Sequence, residues 1–169
     1  MSLLVNNASR FAAFEDAVSF DAIVEHHAVN VAAPVALAVA MAERLGDAPG
    51  AVINLLDQRI ANPPADQLAY TLSKQALAEA TRTLAVALAP RVRVNGVAPG
   101  LTIPTADYSE AQLARLATMM PLGRLPHPDE IADAVAWLAG STSVTGQVIF
   151  VDAGAHLRSF DRDFVNLGR

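Results

Sequence analysis

Two side chains four residues apart, Tyr70 and Lys74, are the first candidates for chemistry in this chain. On a helix that spacing puts both on one face, near enough for an ammonium to act on a phenol. A phenol titrates near 10 in water, and a neighbouring cation lowers that value by favouring phenolate. The pair is therefore a candidate proton donor or acceptor. Taken alone, the pattern is more often that of a half-buried Tyr beside a solvated Lys. Company at fixed distances adds weight: Asp57 lies 13 residues before Tyr70, and Asn30 lies 27 residues before Asp57.

These residues need elements to hold them. The apolar run Ala51 to Leu56 reads as a buried strand, which puts Asp57 at a strand's carboxyl end, the edge where open α/β sheets bind ligands. A long helix is expected from about Gln67 to Ala89, with Leu77, Thr81, Leu84 and Leu88 as its core stripe and Pro90 as its stop. Residues 2–6 read as a short strand, and 9–19 as a loop carrying Phe11 and Phe14. Ser19 or Asp21 caps a helix that runs to Leu45 and ends at Gly46, with a stretch from Pro34 to Ala42 apolar nearly all round. That stretch implies burial against the sheet and a second surface, for which a subunit interface is the natural candidate. Residues 91–97 read as the next strand and 99–108 as a loop. Ser109 caps a short helix, Pro128-Asp129-Glu130 opens another, and Gln147 to Val151 forms the last strand. Trp137, with Ile131, Val135 and Leu138, is assigned to the core. His26 and His27 read as packing or surface residues, and no metal-ligand spacing is present. The alternation of helices and strands argues an α/β fold with a parallel sheet.

Several motifs occur in a fixed order: Asn6-Asn7-Ala8-Ser9; Asn30 in Asn30-Val31-Ala32-Ala33-Pro34; the Tyr70 and Lys74 pair; Val94-Asn95-Gly96-Val97-Ala98-Pro99-Gly100; and Val144-Thr145-Gly146-Gln147 with Val151-Asp152-Ala153-Gly154. In that order they resemble the short-chain dehydrogenase/reductase family over nearly the whole chain. The resemblance implies a Rossmann-like, doubly wound parallel sheet, here incomplete: about four strands, the C-terminal two-thirds of the fold. The family's opening turn, T-G-x-x-x-G-x-G, holds a dinucleotide's pyrophosphate on backbone amides. It has no counterpart here, since no two of the nine glycines are spaced as G-x-G. The expected organisation is a truncated domain over 1–155 and a tail over 156–169, the tail disordered or packed on a neighbouring subunit. The strand at 2–6 would then be an exposed apolar edge, making the chain either less stable or self-associating.

Carried over residue by residue, the resemblance implies catalytic roles for Asn30, Asp57, Tyr70 and Lys74. Tyr70 would give the proton, Lys74 would lower its pKa and bind the nicotinamide ribose, and Asn30 would hold a proton-relay water. Asn7, Ala8, Ser9, Tyr70, Lys74, Pro99, Gly100 and Thr102 would bind the cofactor, NADPH with NADH not excluded. The family normally has Ser where this chain has Asp57. A hydroxyl can donate to a substrate carbonyl, whereas a carboxylate only accepts, so a substrate offering N–H groups fits better. Asp there, with Asn7-Ala8-Ser9-Arg10-Phe11 and Pro99-Gly100-Leu101-Thr102, resembles the pteridine and dihydromonapterin reductases. Phe11, Asp57 and Tyr70 would then bind a pterin. Arg10 departs from their serine. The alternatives are a carbonyl reductase of 3-oxoacyl or sugar substrates, and a non-catalytic fragment retaining only oligomerisation surfaces.

With 169 residues, 53% of them hydrophobic, the chain has material for a sizeable core. A formal charge of −5 argues against a nucleic-acid surface, and the zero cysteine count fits a reducing cytoplasm. The longest apolar run, Val31 to Ala42, falls short of a bilayer span, and no signal peptide is read. The expectation is a soluble, cytoplasmic homo-oligomer acting on a small molecule.

Overall fold

The computed structural model describes residues 2–11 and 18–167; Phe14, read as a loop residue, lies outside them. Four strands, β1 (Ser2–Asn6), β2 (Gly50–Leu55), β3 (Val92–Pro99) and β4 (Val148–Val151), form one sheet in the order β1-β2-β3-β4. All three pairings are parallel. Every residue of β2 is buried, which is why it reads as a nearly continuous apolar run, interrupted only by Asn54, rather than an alternating one. β1 lies at one end of the sheet, with Leu3 and Val5 exposed by 48% and 38%.

Neighbouring strand residues point to opposite faces, and helices cover both. On one face Val52, Val92 and Val94 pack under Ala38 and Ala42 of α2 (Ala33–Leu45) and Leu84 and Ala85 of α3 (Leu68–Ala87). On the other, Ile53, Leu55 and Val97 pack under Leu138 of α5 (Pro128–Gly140). A polar ladder crosses the first face: Asn6, in register with Asn54, donates from Nδ2 to Asn54 Oδ1 at 2.8 Å, and Asn54 Nδ2 donates to Thr81 Oγ1 at 2.9 Å. It satisfies amides that would be costly to bury unpaired.

Ser19 caps α1 (Phe20–His27), its hydroxyl accepting from the Ala22 amide at 3.0 Å. α1 runs through a π-helical turn, Ala28–Ala32, into α2, which ends at Gly46 with φ of 54°. By length and composition this 26-residue helical stretch, Phe20–Leu45, would suffice to cross a bilayer. In the structure it lies against the sheet and α3, with a buried Asn at its centre. Only Pro34, Ala38 and Ala42 of α2 are buried, while Leu37 stays 52% exposed, so its outer face is uncovered.

Two expectations are corrected. Trp137 is 56% exposed, because Ile131, Val135 and Leu138 share one helical stripe and Trp137 points away from it. The C-terminal segment is ordered against its own chain. Phe164 and Val165 are buried, and Phe160, Phe164 and Leu167 pack on Leu116 and Met120 beside α4 (Glu110–Met119). Gln112 secures the segment, its Nε2 donating to the carbonyls of Phe164, Val165 and Leu167. Phe164→Ala should therefore cost about 3 kcal/mol of stability, measured by urea unfolding. A loss under about 0.5 kcal/mol, the scale of a surface substitution, would show that the segment does not belong to this core.

Candidate active site

At the carboxyl ends of β1 to β3 the structure brings together Asn30, Asp57, Tyr70 and Lys74. Asp57 follows β2 and opens a 3₁₀ turn, Gln58–Ile60, accepting from the Arg59 amide at 2.9 Å. Tyr70 and Lys74 stand one turn apart on α3 and both are buried. The Tyr70 hydroxyl donates to Asp57 Oδ2 at 3.1 Å, and Lys74 Nζ donates to the Leu55 carbonyl at 2.9 Å. The ammonium lies 5.7 Å from the centroid of the Tyr70 ring.

Asn30 sits in the π-helical turn, a backbone irregularity often found at functional sites. Its Nδ2 donates to the Arg10 carbonyl at 3.0 Å and to Ser73 Oγ at 2.9 Å. Its Oδ1 accepts from the Arg10 amide at 2.7 Å and from Ser9 Oγ at 3.2 Å. Both amide hydrogens are thus committed to protein groups, and Asn30 ties the loop after β1 to α3.

Arg59 and Asp163 were not anticipated. Arg59 is buried between two carboxylates, Nε donating to Asp57 Oδ1 at 3.0 Å and Nη2 to Asp163 Oδ2 at 2.5 Å. Its guanidinium carbon lies 4.6 Å from the Tyr70 ring centroid and 5.6 Å from that of Phe11, distances at which a cation is drawn to an aromatic face. Phe11 meets Tyr70 edge to face at 4.9 Å. The only sequence signal was a lone Arg two residues after Asp57, while Asp163 lies 104 residues away from Arg59 in the chain.

Burial dominates the electrostatics of the site. Burial and then the Asp57 carboxylate push the Tyr70 phenol well above 10, and Arg59 opposes them. A raised phenol keeps its proton at neutral pH. Lys74 is lowered to about 8, chiefly by burial, with Arg59 adding and Asp57 opposing. Burial of its charge costs Arg59 most, yet the carboxylates of Asp57 and Asp163 outweigh this and raise it. Tyr108 is pushed up by burial and then by Asp163.

Two cavities meet here. One, of about 280 Å³, is walled by Phe11, Arg59, Tyr108 and Asp163. The other is a groove of about 610 Å³ along Leu3, Val5, Asn7, Ser9 and Lys74 to Pro128 and Ile131 on α5. Asp57, Tyr70, Gly100, Thr102 and Ile103 line both. Gly100 is required by space, since a Cβ there would lie 2.9 Å from Asp152 Cα. Ala8 is exposed beside the groove residues Asn7 and Ser9.

A parallel α/β sheet with Tyr and Lys one turn apart beside a buried Asn at its carboxyl edge defines a class. The chain belongs to the short-chain dehydrogenase/reductase family: residues 1–156 match the family model described as enoyl-(acyl carrier protein) reductase. It is similar to an uncharacterised oxidoreductase of Bacillus subtilis, 35% identical over 90% of this chain and 63% of that protein. The dihydromonapterin reductase of Klebsiella pneumoniae is 31% identical, over 92% of this chain and 66% of the relative. Among solved structures, the alternative dihydrofolate reductase FolM of Brucella suis, in complex with NADP, superposes with a TM-score of 0.88 at 41% identity, covering 95% of this chain and 66% of that one. The chain thus spans less than two-thirds of the length of each of these three relatives.

The shifted groups fix a pH dependence. Lys74, lowered to about 8 in the folded chain from 10.5, leaves the unfolded chain holding more protons between those values. Stability should therefore rise from pH 8 towards 10. Tyr70 and Tyr108 are raised, so above 10 the unfolded chain loses protons first and stability should fall. Urea midpoints measured from pH 7 to 11 should pass through a maximum near pH 10. A steady decline from pH 8 would contradict the placement of Lys74.

Proposed function

We propose that this chain carries the proton-donating and substrate-binding half of an NADPH-dependent reductase acting on a pteridine. The observation that carries the reading is the Tyr70 hydroxyl on the Asp57 carboxylate at 3.1 Å, edge-on to Phe11. Support comes from the likeness to a FolM enzyme solved with NADP and to a dihydromonapterin reductase. The groove's polar groups, Asn7, Ser9, Tyr70, Lys74 and Thr102, with the close-approach Gly100, suit the nicotinamide and ribose end of such a cofactor. The cofactor supplies a hydride when bound.

The residues do the rest. Asp57 accepts an N–H from the flat substrate, which fixes the ring against Phe11. Tyr70 keeps its proton at neutral pH and releases it from Oη to the reduced bond as that atom gains basicity. Lys74, lowered to about 8, lines the groove with its Nζ donating to the Leu55 carbonyl. Asn30 holds Ser9 and Arg10 in place. A cytoplasmic homo-oligomer goes with this reading, α2 offering an uncovered apolar face.

A second reading, reduction of a carbonyl on an acyl chain or sugar, is favoured by the family description. A third, that these residues alone do not hold the cofactor, is favoured by the lack of G-x-G spacing. Titration with NADPH, followed by nicotinamide fluorescence and then by dihydropterin turnover, separates them. Binding with oxidation of NADPH is expected, and no binding by a folded chain favours the third reading. Asp57→Ser should cut pterin reduction by roughly 10²-fold, the scale of a lost acid–base partner. Retained pterin reduction, or a gain on 3-oxoacyl substrates, would favour carbonyl reduction.

A further inference from the structure

We infer that Arg59, clamped by Asp163 of the C-terminal segment, is the positioning residue of the proton donor, so that residues 158–167 set the geometry and local charge around Tyr70. This rests on the reading of Tyr70 as that donor.

The geometry is a continuous chain of contacts. Asp66, just before α3, accepts from the Asp163 amide at 2.6 Å and from Asn166 Nδ2 at 2.9 Å. Asp163 Oδ1 accepts from the Val165 amide at 2.9 Å, which leaves Oδ2 for Arg59 Nη2 at 2.5 Å. Arg59 reaches Asp57 Oδ1 through Nε, and the other oxygen of that carboxylate takes the Tyr70 hydroxyl. The same guanidinium stacks over the Tyr70 ring. Tyr70 is thus held at both its hydroxyl and its face by Arg59 and by the carboxylate that Arg59 orients.

A buried ion pair is poor evidence for a stability role, since well-packed apolar residues often do as well. This one lies in the wall of the smaller cavity with Asp57, Tyr70, Tyr108 and Asp163, the charged and titratable groups that face it, and Lys74 lies on the groove side. Removing the guanidinium would take the side-chain donor from Asp57 Oδ1, leaving only the backbone amide of residue 59 on that oxygen, and would strip a positive charge from beside Tyr70 and Lys74.

The test needs no turnover, so it stays readable even where the reductase reading fails. Lys74 is the single lysine among 169 residues, so [13Cε]lysine labelling gives one side-chain signal and a direct titration. Its midpoint should lie near 8 in the parent chain. In Arg59→Gln it should move up by about half a unit or more, because a neighbouring cation has gone, and Arg59→Lys, whose added second signal is told apart by comparison with the parent, should restore it. A purely structural Arg59 would leave the midpoint unmoved in a folded variant, and that result overturns the inference. Should Arg59→Gln fail to fold, Asp163→Asn serves. Only two tyrosines are present, so in a Tyr108→Phe background the labelled ring of Tyr70 reports alone. Its signals should shift on Asp163→Asn as the guanidinium loosens from its face. Unchanged ring signals would equally overturn the inference.

Discussion

A buried carboxamide has to find partners for two N–H groups and a carbonyl, and much of this structure follows from where Asn30 finds them. Its partners lie on the loop after β1, 20 residues before it at Arg10, and on α3, 43 residues after it at Ser73. Leaving either side unpaired would cost on the order of 1–3 kcal/mol for each buried group. Helix, loop and α3 are therefore fixed relative to one another. The π-helical turn at Ala28–Ala32 is the local distortion that goes with this placement, since it lies at the centre of a helix whose other residues are regular.

The same constraint explains why the site could be read in part from the chain alone. Tyr70 and Lys74 stand on a regular helix, and Asn30 and Asp57 lie within or just after stretches whose bounds are marked: Ser19 caps the first helix, Gly46 ends it, and the apolar run before Asp57 is a strand. Residue type and periodicity therefore carried their positions. Arg59, Asp163 and Tyr108 had no such marks. Asp163 belongs to a segment without regular structure, and its partnership with Arg59 spans 104 residues, so only the folded chain shows it. The C-terminal segment was misread for the same reason: its aromatics are scattered, with no helical or strand period, although Phe164 is buried. Trp137 was a different kind of miss, because its helical angle already placed it off the stripe of Ile131, Val135 and Leu138.

Electrostatics show most clearly how little a pairwise reading decides. A Lys one turn from a Tyr suggests a phenol eased towards ionisation. Here desolvation acts on both groups and favours the neutral form of each, raising the phenol and lowering the ammonium. The cation that opposes the rise in Tyr70 is Arg59, stacked on its ring, while the Lys74 ammonium is directed to the Leu55 carbonyl. The result is a phenol that holds its proton in an environment where a donor can be used.

The two cavities give this arrangement its direction. Because Asp57, Tyr70, Gly100, Thr102 and Ile103 line both, the groove and the smaller chamber adjoin at the proton-donating residue. At that junction the missing Cβ of Gly100 lets the segment after β3 close against Asp152, just after β4. Asp152 is itself held, accepting from the Gly154 amide at 2.9 Å and the His156 amide at 2.7 Å. The C-terminal segment that follows this turn supplies Asp163 and Phe164 to the chamber. Asp163 and Phe164 are therefore part of the site, and the chamber's shape and charge are completed only when the segment that carries them folds back onto α4.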